Sequence, residues 1–72
     1  MRVDGEKLRD LRNEKLLTME ELASLSGVSF NTLYRLEHNL TGARQSSIKK
    51  LARVLGVAPQ ELLLRPTQVE TA

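Results

Sequence analysis

The 72 residues contain no cysteine, which excludes a disulfide framework and any thiolate metal site. That absence fits a reducing compartment, so the expected localisation is cytoplasmic. No apolar run approaches the ~20 residues that cross a bilayer. The opening MRVDGEKLRD is acidic and amphipathic, unlike a secretory leader, so neither a membrane partner nor processing is expected. No segment alternates as a strand would, and no repeat or low-complexity stretch occurs. The one histidine stands beside no nucleophile at a recognisable spacing and makes no metal site alone, and no glycine-rich phosphate loop is present. No enzyme activity, cofactor or small-molecule ligand is therefore expected.

Aromatic residues are scarce as well. Phe30 and Tyr34 are the sole phenylalanine and tyrosine, there is no tryptophan, and both rings fall within SGVSFNTLYRLE, residues 26–37. A chain this short buries only about 60% of its unfolded surface. It therefore forms a single domain near the lower limit for independent folding, and its core must come from aliphatic side chains.

What is present is charge, unevenly distributed. The net charge is +2. Residues 1–30 nearly balance, with Arg2, Lys7, Arg9, Arg12 and Lys15 against Asp4, Glu6, Asp10, Glu14, Glu20 and Glu21. Residues 31–60 carry Arg35, Arg44, Lys49, Lys50 and Arg53 against Glu37 alone. A local basic surplus is the footprint of a polyanion partner, with a merely solvated charged face as the alternative.

The chain is punctuated by helix signals. Asp4 reads as an N-cap between Val3 and Leu8, which have the spacing of a hydrophobic staple, and predicts a helix over Gly5 to Lys15 with Leu8 and Leu11 inward. Thr18 and Glu21 form a capping box inside a Leu17/Leu22 staple and start a two-turn helix that Gly27 closes. Ser29 caps the next helix, Phe30 to about His38, with Val28 and Leu33 as its staple. A polar loop follows in which Asn39 and Gly42 suit positive φ. Ile48, Leu51, Ala52 and Leu55 predict a fourth helix from Gln45 to Leu55, ended by Gly56. Val57, Pro59 and Leu62 open a fifth, to about Leu64. Residues 65–72 read as a flexible tail.

At ~100° per residue, Leu33 and Leu36 face inward, while Asn31, Tyr34, Arg35 and His38 gather on the outward side with Phe30 on its flank. An amide, a guanidinium and a ring on a short presented helix suit a DNA major groove, where Asn pairs with adenine and Arg with guanine. The alternative for Phe30 is a place at the rim of the core. The same alternative holds less strongly for Tyr34, whose hydroxyl can reach a phosphate; for Asn31 and Arg35 the lesser alternative is an ordinary solvated face, and His38 either touches a phosphate or faces water.

Thr18-Met19-Glu20-Glu21-Leu22-Ala23, then Gly27-Val28-Ser29, then Leu33-x-x-Leu36-Glu37 resembles the helix-turn-helix of the phage repressor and Cro family, also called the Xre family. The resemblance runs through KKLARVLGV and covers residues 6–64. It implies an all-α, five-helix lambda-repressor-like domain over 1–64, with the motif at about 18–37. It also implies that Ser29, Phe30, Asn31 and Arg35 read bases, with Tyr34 adjacent, and that Thr18, Met19, Asn39, Thr41 and Arg44 hold phosphates. Arg12 and Glu37 become a structural ion pair that orients the third helix. The sequence departs from the family at Met19, where glutamine is frequent, and in the loop, where Asn39 replaces a frequent glycine and Ala43 stands near the usual proline. Met19 cannot donate the bond a glutamine would, and a thioether packed on the Phe30 ring is the expected substitute.

These features lead to an expected function: a sequence-specific double-stranded DNA-binding transcriptional regulator, similar to small Cro-like repressors and restriction-modification controller proteins. The alternative is a protein-interaction module on the same fold, an antitoxin-like partner or a transcription adaptor. Leu62, Leu63 and Leu64 cannot all face one core from a two-turn helix. Leu63 and Leu64, joined by Val57 or Val69, are therefore the expected homodimer contact, the alternative being that they merely cap the core of a monomer. A two-fold dimer implies a palindromic operator.

Overall fold

The computed structural model describes residues 1–64. Among them the architecture is all-helical: α1 spans Gly5–Glu14, α2 Met19–Ser26, α3 Phe30–Glu37 and α4 Gln45–Leu55, followed by a 3-10 turn, Pro59–Leu62. The tail expected at 65–72, with Val69 in it, lies outside the described residues.

The helices begin where side chains satisfy their first amides. The Lys7 N–H donates to Asp4 Oδ1 at 3.2 Å. At α2 the Glu21 N–H donates to Thr18 Oγ1 at 3.0 Å while the Thr18 N–H donates to Glu21 Oε1 at 2.8 Å, a complete capping box. The Thr32 N–H donates to Ser29 Oγ at 3.2 Å. Each such cap contributes about 1 kcal/mol. Helix α4 differs, because Arg44 occupies its N-cap and no side chain caps it. Helices α2 and α4 both end at left-handed glycines, Gly27 at φ 78° and Gly56 at φ 72°. A Cβ on Gly27 would meet nothing within 4 Å, so glycine answers there to backbone twist rather than to space.

The fifth helix is not formed as an α-helix; among the described residues the α-helices number four. After Pro59 the chain makes a single 3-10 turn, with the Glu61 N–H bonded to Ala58 O at 2.9 Å and the Leu63 N–H to Gln60 O at 3.2 Å. Leu63 then turns extended, at φ −85° and ψ 141°, and forms an isolated antiparallel bridge with Val3. That pairing follows the helical run and is a strand-like feature, among the described residues, that the sequence did not announce. Gly42 is a second correction. Its φ is not positive, whereas Asn39 (58°) and, unexpectedly, Leu16 (57°) are left-handed.

The core is aliphatic. Leu8, Leu22, Leu33, Leu36, Ile48, Leu51, Leu55 and Leu62 are its largest fully buried members, joined by Val3 and Val28. Leu11 packs at its edge, half-buried. Burying each such leucine stabilises the fold by roughly 1.5–3 kcal/mol. Helix α3 packs against α1 and α2, and α4 against α2 and the 3-10 turn. The start of α1 meets the end of α3 closely: a Cβ on Gly5 would lie 2.5 Å from both the Leu36 and Glu37 carbonyl oxygens. No helix among the described residues is long and apolar enough to cross a membrane.

Candidate nucleic-acid interface

Helices α2 and α3 are joined by Gly27, Val28 and Ser29, a turn braced from inside. The nearly buried Ser26 hydroxyl accepts from the Val28 N–H at 3.2 Å and donates to Ala23 O at 3.4 Å. Below the turn, Leu22, Val28 and Leu33 are buried together in the core.

Arg12 fixes the far end of α3. Its Nε donates to Glu37 Oε2 at 2.7 Å, its Nη2 to Glu37 Oε1 at 3.1 Å and its Nη1 to Leu17 O at 2.8 Å. One guanidinium thereby links α1, the α1–α2 turn and α3. Both side chains are largely withdrawn from water, with 12% of Arg12 and 3% of Glu37 exposed. A bidentate pair of this kind constrains direction as well as distance.

With Leu33, Leu36 and Glu37 turned inward, α3 presents Phe30, Asn31, Tyr34 and Arg35 to solvent. Phe30 is 42% exposed and Tyr34 43%, so neither ring is core, and Phe30 is not a sealed rim residue. The His38 ring lies against Tyr34, with centroids 4.2 Å apart and planes tilted by 36°. The i, i+4 spacing carried that signal, since such residues are neighbours on a helix surface. Ser29 is exposed, but its hydroxyl accepts from the Thr32 N–H and donates to Thr32 Oγ1 at 2.9 Å. The Ser29 hydroxyl is thus engaged inside α3 by Thr32.

The loop after α3 brings together some of the expected phosphate ligands. Thr41 and Arg44 join Arg35, Thr32 and Ser47 around a concavity of about 360 Å³. No acidic side chain lines it. The sequence reading missed Thr32 and Ser47. Their signal was spacing, for each lies one helical turn from an arginine already singled out. Asn39 also ties the loop to α1, because its Oδ1 accepts from the Gly5 N–H at 3.0 Å. Its side-chain NH₂ remains the one donor it can turn outward.

Thr18 and Met19 stand at the start of α2, outside that concavity. The Thr18 N–H and side-chain oxygen close the capping box, so the α2 amides left for an anion are those of Met19 and Glu20. Met19 is partly buried against the core. At the opposite end of the chain Leu64 is 48% exposed. Leu63 is half-buried, packed against the core and bridged to Val3, and is therefore less open than a free contact residue. Val57 is also half-buried.

A family model described as Helix-turn-helix matches residues 8–62. The chain belongs to that family, in the Xre-like branch that includes phage repressors. The HTH-type transcriptional repressor RghR of Bacillus subtilis is 39% identical over 67 residues, 92% of this chain and 50% of that protein. The restriction-modification controller protein C.AhdI from Aeromonas hydrophila superposes with a TM-score of 0.77 at 37% identity, covering 82% of this chain and 89% of that one. SinR, a master regulator for biofilm formation solved in complex with DNA, superposes with a TM-score of 0.75 at 32% identity, covering 78% and 90%. The chain spans about half or less of the length of the curated relatives it matches.

Proposed function

We propose that this chain is a DNA-binding regulator of transcription that inserts α3 into the major groove. The observation that carries the reading is the division of α3 into two faces. Leu33, Leu36 and Glu37 are buried and Glu37 is clamped by Arg12, whereas Asn31, Tyr34 and Arg35 point to solvent as a rigid polar row. Such a row offers hydrogen bonds to base edges, Arg35 to guanine and Asn31 to adenine, with Phe30 against a thymine methyl.

Phosphates on either side hold the register. The Met19 and Glu20 amides with the Thr18 hydroxyl serve one flank, and Thr41, Arg44, the Asn39 amide and His38 serve the other. The relatives, a transcriptional repressor, a controller protein and a regulator solved in complex with DNA, support this reading. Two copies meeting at Leu64 and the outer edge of Leu63 would set two α3 helices about 34 Å apart and select a palindromic operator.

The test is a titration of duplex DNA over a series of salt concentrations. Affinity falling with log salt at a slope of roughly −0.9 per phosphate contact supports the proposal. Absence of salt-linked DNA binding refutes it in favour of a protein-interaction module on the same fold.

A further inference from the structure

We infer that residues 1–5 are a positioning strap for the α3–α4 loop, holding Thr41 and Arg44 in place for DNA before DNA arrives. The inference rests on the proposed phosphate role of that loop. Residues 38–44 are exposed apart from Ala43, so little of their own burial fixes their path. Two pairings do so from outside. The Ala43 N–H donates to Met1 O at 2.7 Å and the Met1 nitrogen donates to Ala43 O at 3.0 Å. At the other end of the loop the Gly5 N–H donates to Asn39 Oδ1 at 3.0 Å. Thr41 is suspended between these two attachments, and Arg44 follows directly on Ala43.

Gly42 shows how close the strap lies. A Cβ there would stand 2.7 Å from the Met1 carbonyl oxygen, and its φ is not left-handed, so glycine is required by the neighbouring backbone and not by its own twist. The strap's other edge is pinned to the C-terminal segment. The Asp4 N–H donates to Leu62 O at 2.9 Å, the Leu64 N–H donates to Arg2 O at 3.0 Å, and Val3 is buried opposite Leu63. The loop is thus tied through residues 1–5 to the 3-10 turn and the core. A loop ordered in advance loses less conformational freedom on binding, and Met1, Gly5 and Gly42 thereby act on DNA through residues they do not themselves replace.

The test compares the full chain with one lacking residues 1–2, and with Gly42→Ala in each. Two quantities are read: amide hydrogen exchange at Ala43 without DNA, and the salt slope of duplex binding. Truncation is expected to free the Ala43 amide and to reduce the slope by about one, the signature of one lost phosphate contact, with specific and random duplexes weakened alike. Gly42→Ala should reproduce the slope change in the full chain and do nothing in the truncated one, where the Met1 carbonyl is gone. Arg44→Ala added to the truncated chain should leave the slope where truncation put it, because both remove the same contact. Leu55→Ala, in the core and outside both the strap and the loop, is the structural control, lowering the urea midpoint without touching the slope. An Ala43 amide still protected after truncation overturns the strap. A freed Ala43 with an unchanged slope overturns its role in DNA binding, while Arg44→Ala in the full chain separately reads whether the loop is the phosphate anchor.

Discussion

Arg12 and Glu37, on different helices, meet in a two-point hydrogen-bonded ion pair at 2.7 and 3.1 Å, almost closed to water. The pair sits where α3 ends, and the third Arg12 bond, to Leu17 O, carries the constraint into the turn before α2. Truncating either partner leaves a poorly solvated charge behind, so Arg12→Ala or Glu37→Ala is expected to cost about 3–5 kcal/mol. That is well above the ~0–1 kcal/mol of an exposed pair such as Lys7 and Glu61, 4.0 Å apart. Urea unfolding of both single variants and the double variant should show the second truncation costing much less than the first. Additive losses would mean the two residues act independently.

Arg35 and Arg44 face one concavity but should behave differently on DNA. Arg35→Ala is expected to lose ~1–3 kcal/mol on the preferred site and to relax preference at one base pair, as when a bidentate base contact disappears. Arg44→Ala should weaken specific and random duplexes equally and lower the salt slope by about one. Equilibrium binding of both variants to both duplexes separates them. Identical behaviour contradicts the division between reading and anchoring.

Two glycines should fail for different reasons. Gly27→Ala forces a Cβ into the left-handed region with open space around it, at a cost of about 1–2 kcal/mol. Gly5→Ala puts a Cβ 2.5 Å from two α3 carbonyl oxygens, which neither backbone can yield without parting α1 from α3, and the loss should exceed the ~1–3 kcal/mol of ordinary overpacking. Thermal or urea unfolding of the two variants gives the order directly. Equal losses would mean that the α1–α3 approach is looser than these distances describe.

The proposed dimer contact now falls mainly on Leu64. Leu64→Asp is expected to shift sedimentation toward monomer with little change in urea midpoint, since the side chain is half in water. Leu63→Asp should both dissociate and destabilise, because Leu63 also packs on the core. A chain that is monomeric at every concentration before mutation removes the dimer from the account.

Local chemistry made much of this legible in advance. Asp4, Thr18, Ser29, Gly27 and Gly56 act through contacts within a few residues, and each stands where its signal pointed, so α1 to α3 could be read from their caps and α4 from its apolar spacing and closing glycine. Leu63 could not, because its bridge to Val3 spans nearly the whole described chain and stands where Pro59 and Val57 announced a helix. Gly42 and Asn39 belong with it. One yields space to Met1 and the other caps the Gly5 amide, and both partners are remote in sequence. Ser29 shows a different limit: its place at the head of α3 was evident, but the bond to Thr32 that engages its hydroxyl depends on a rotamer.

Selection of bound duplexes from a random pool tests the central claim most directly, for it asks whether α3 reads sequence at all. The account predicts one enriched motif, an inverted repeat with half-sites about one helical turn, ~34 Å, apart, whose preference at one position collapses for Arg35→Ala. A bound pool indistinguishable from the input, or a motif that Arg35→Ala and Asn31→Ala leave unchanged, would contradict it.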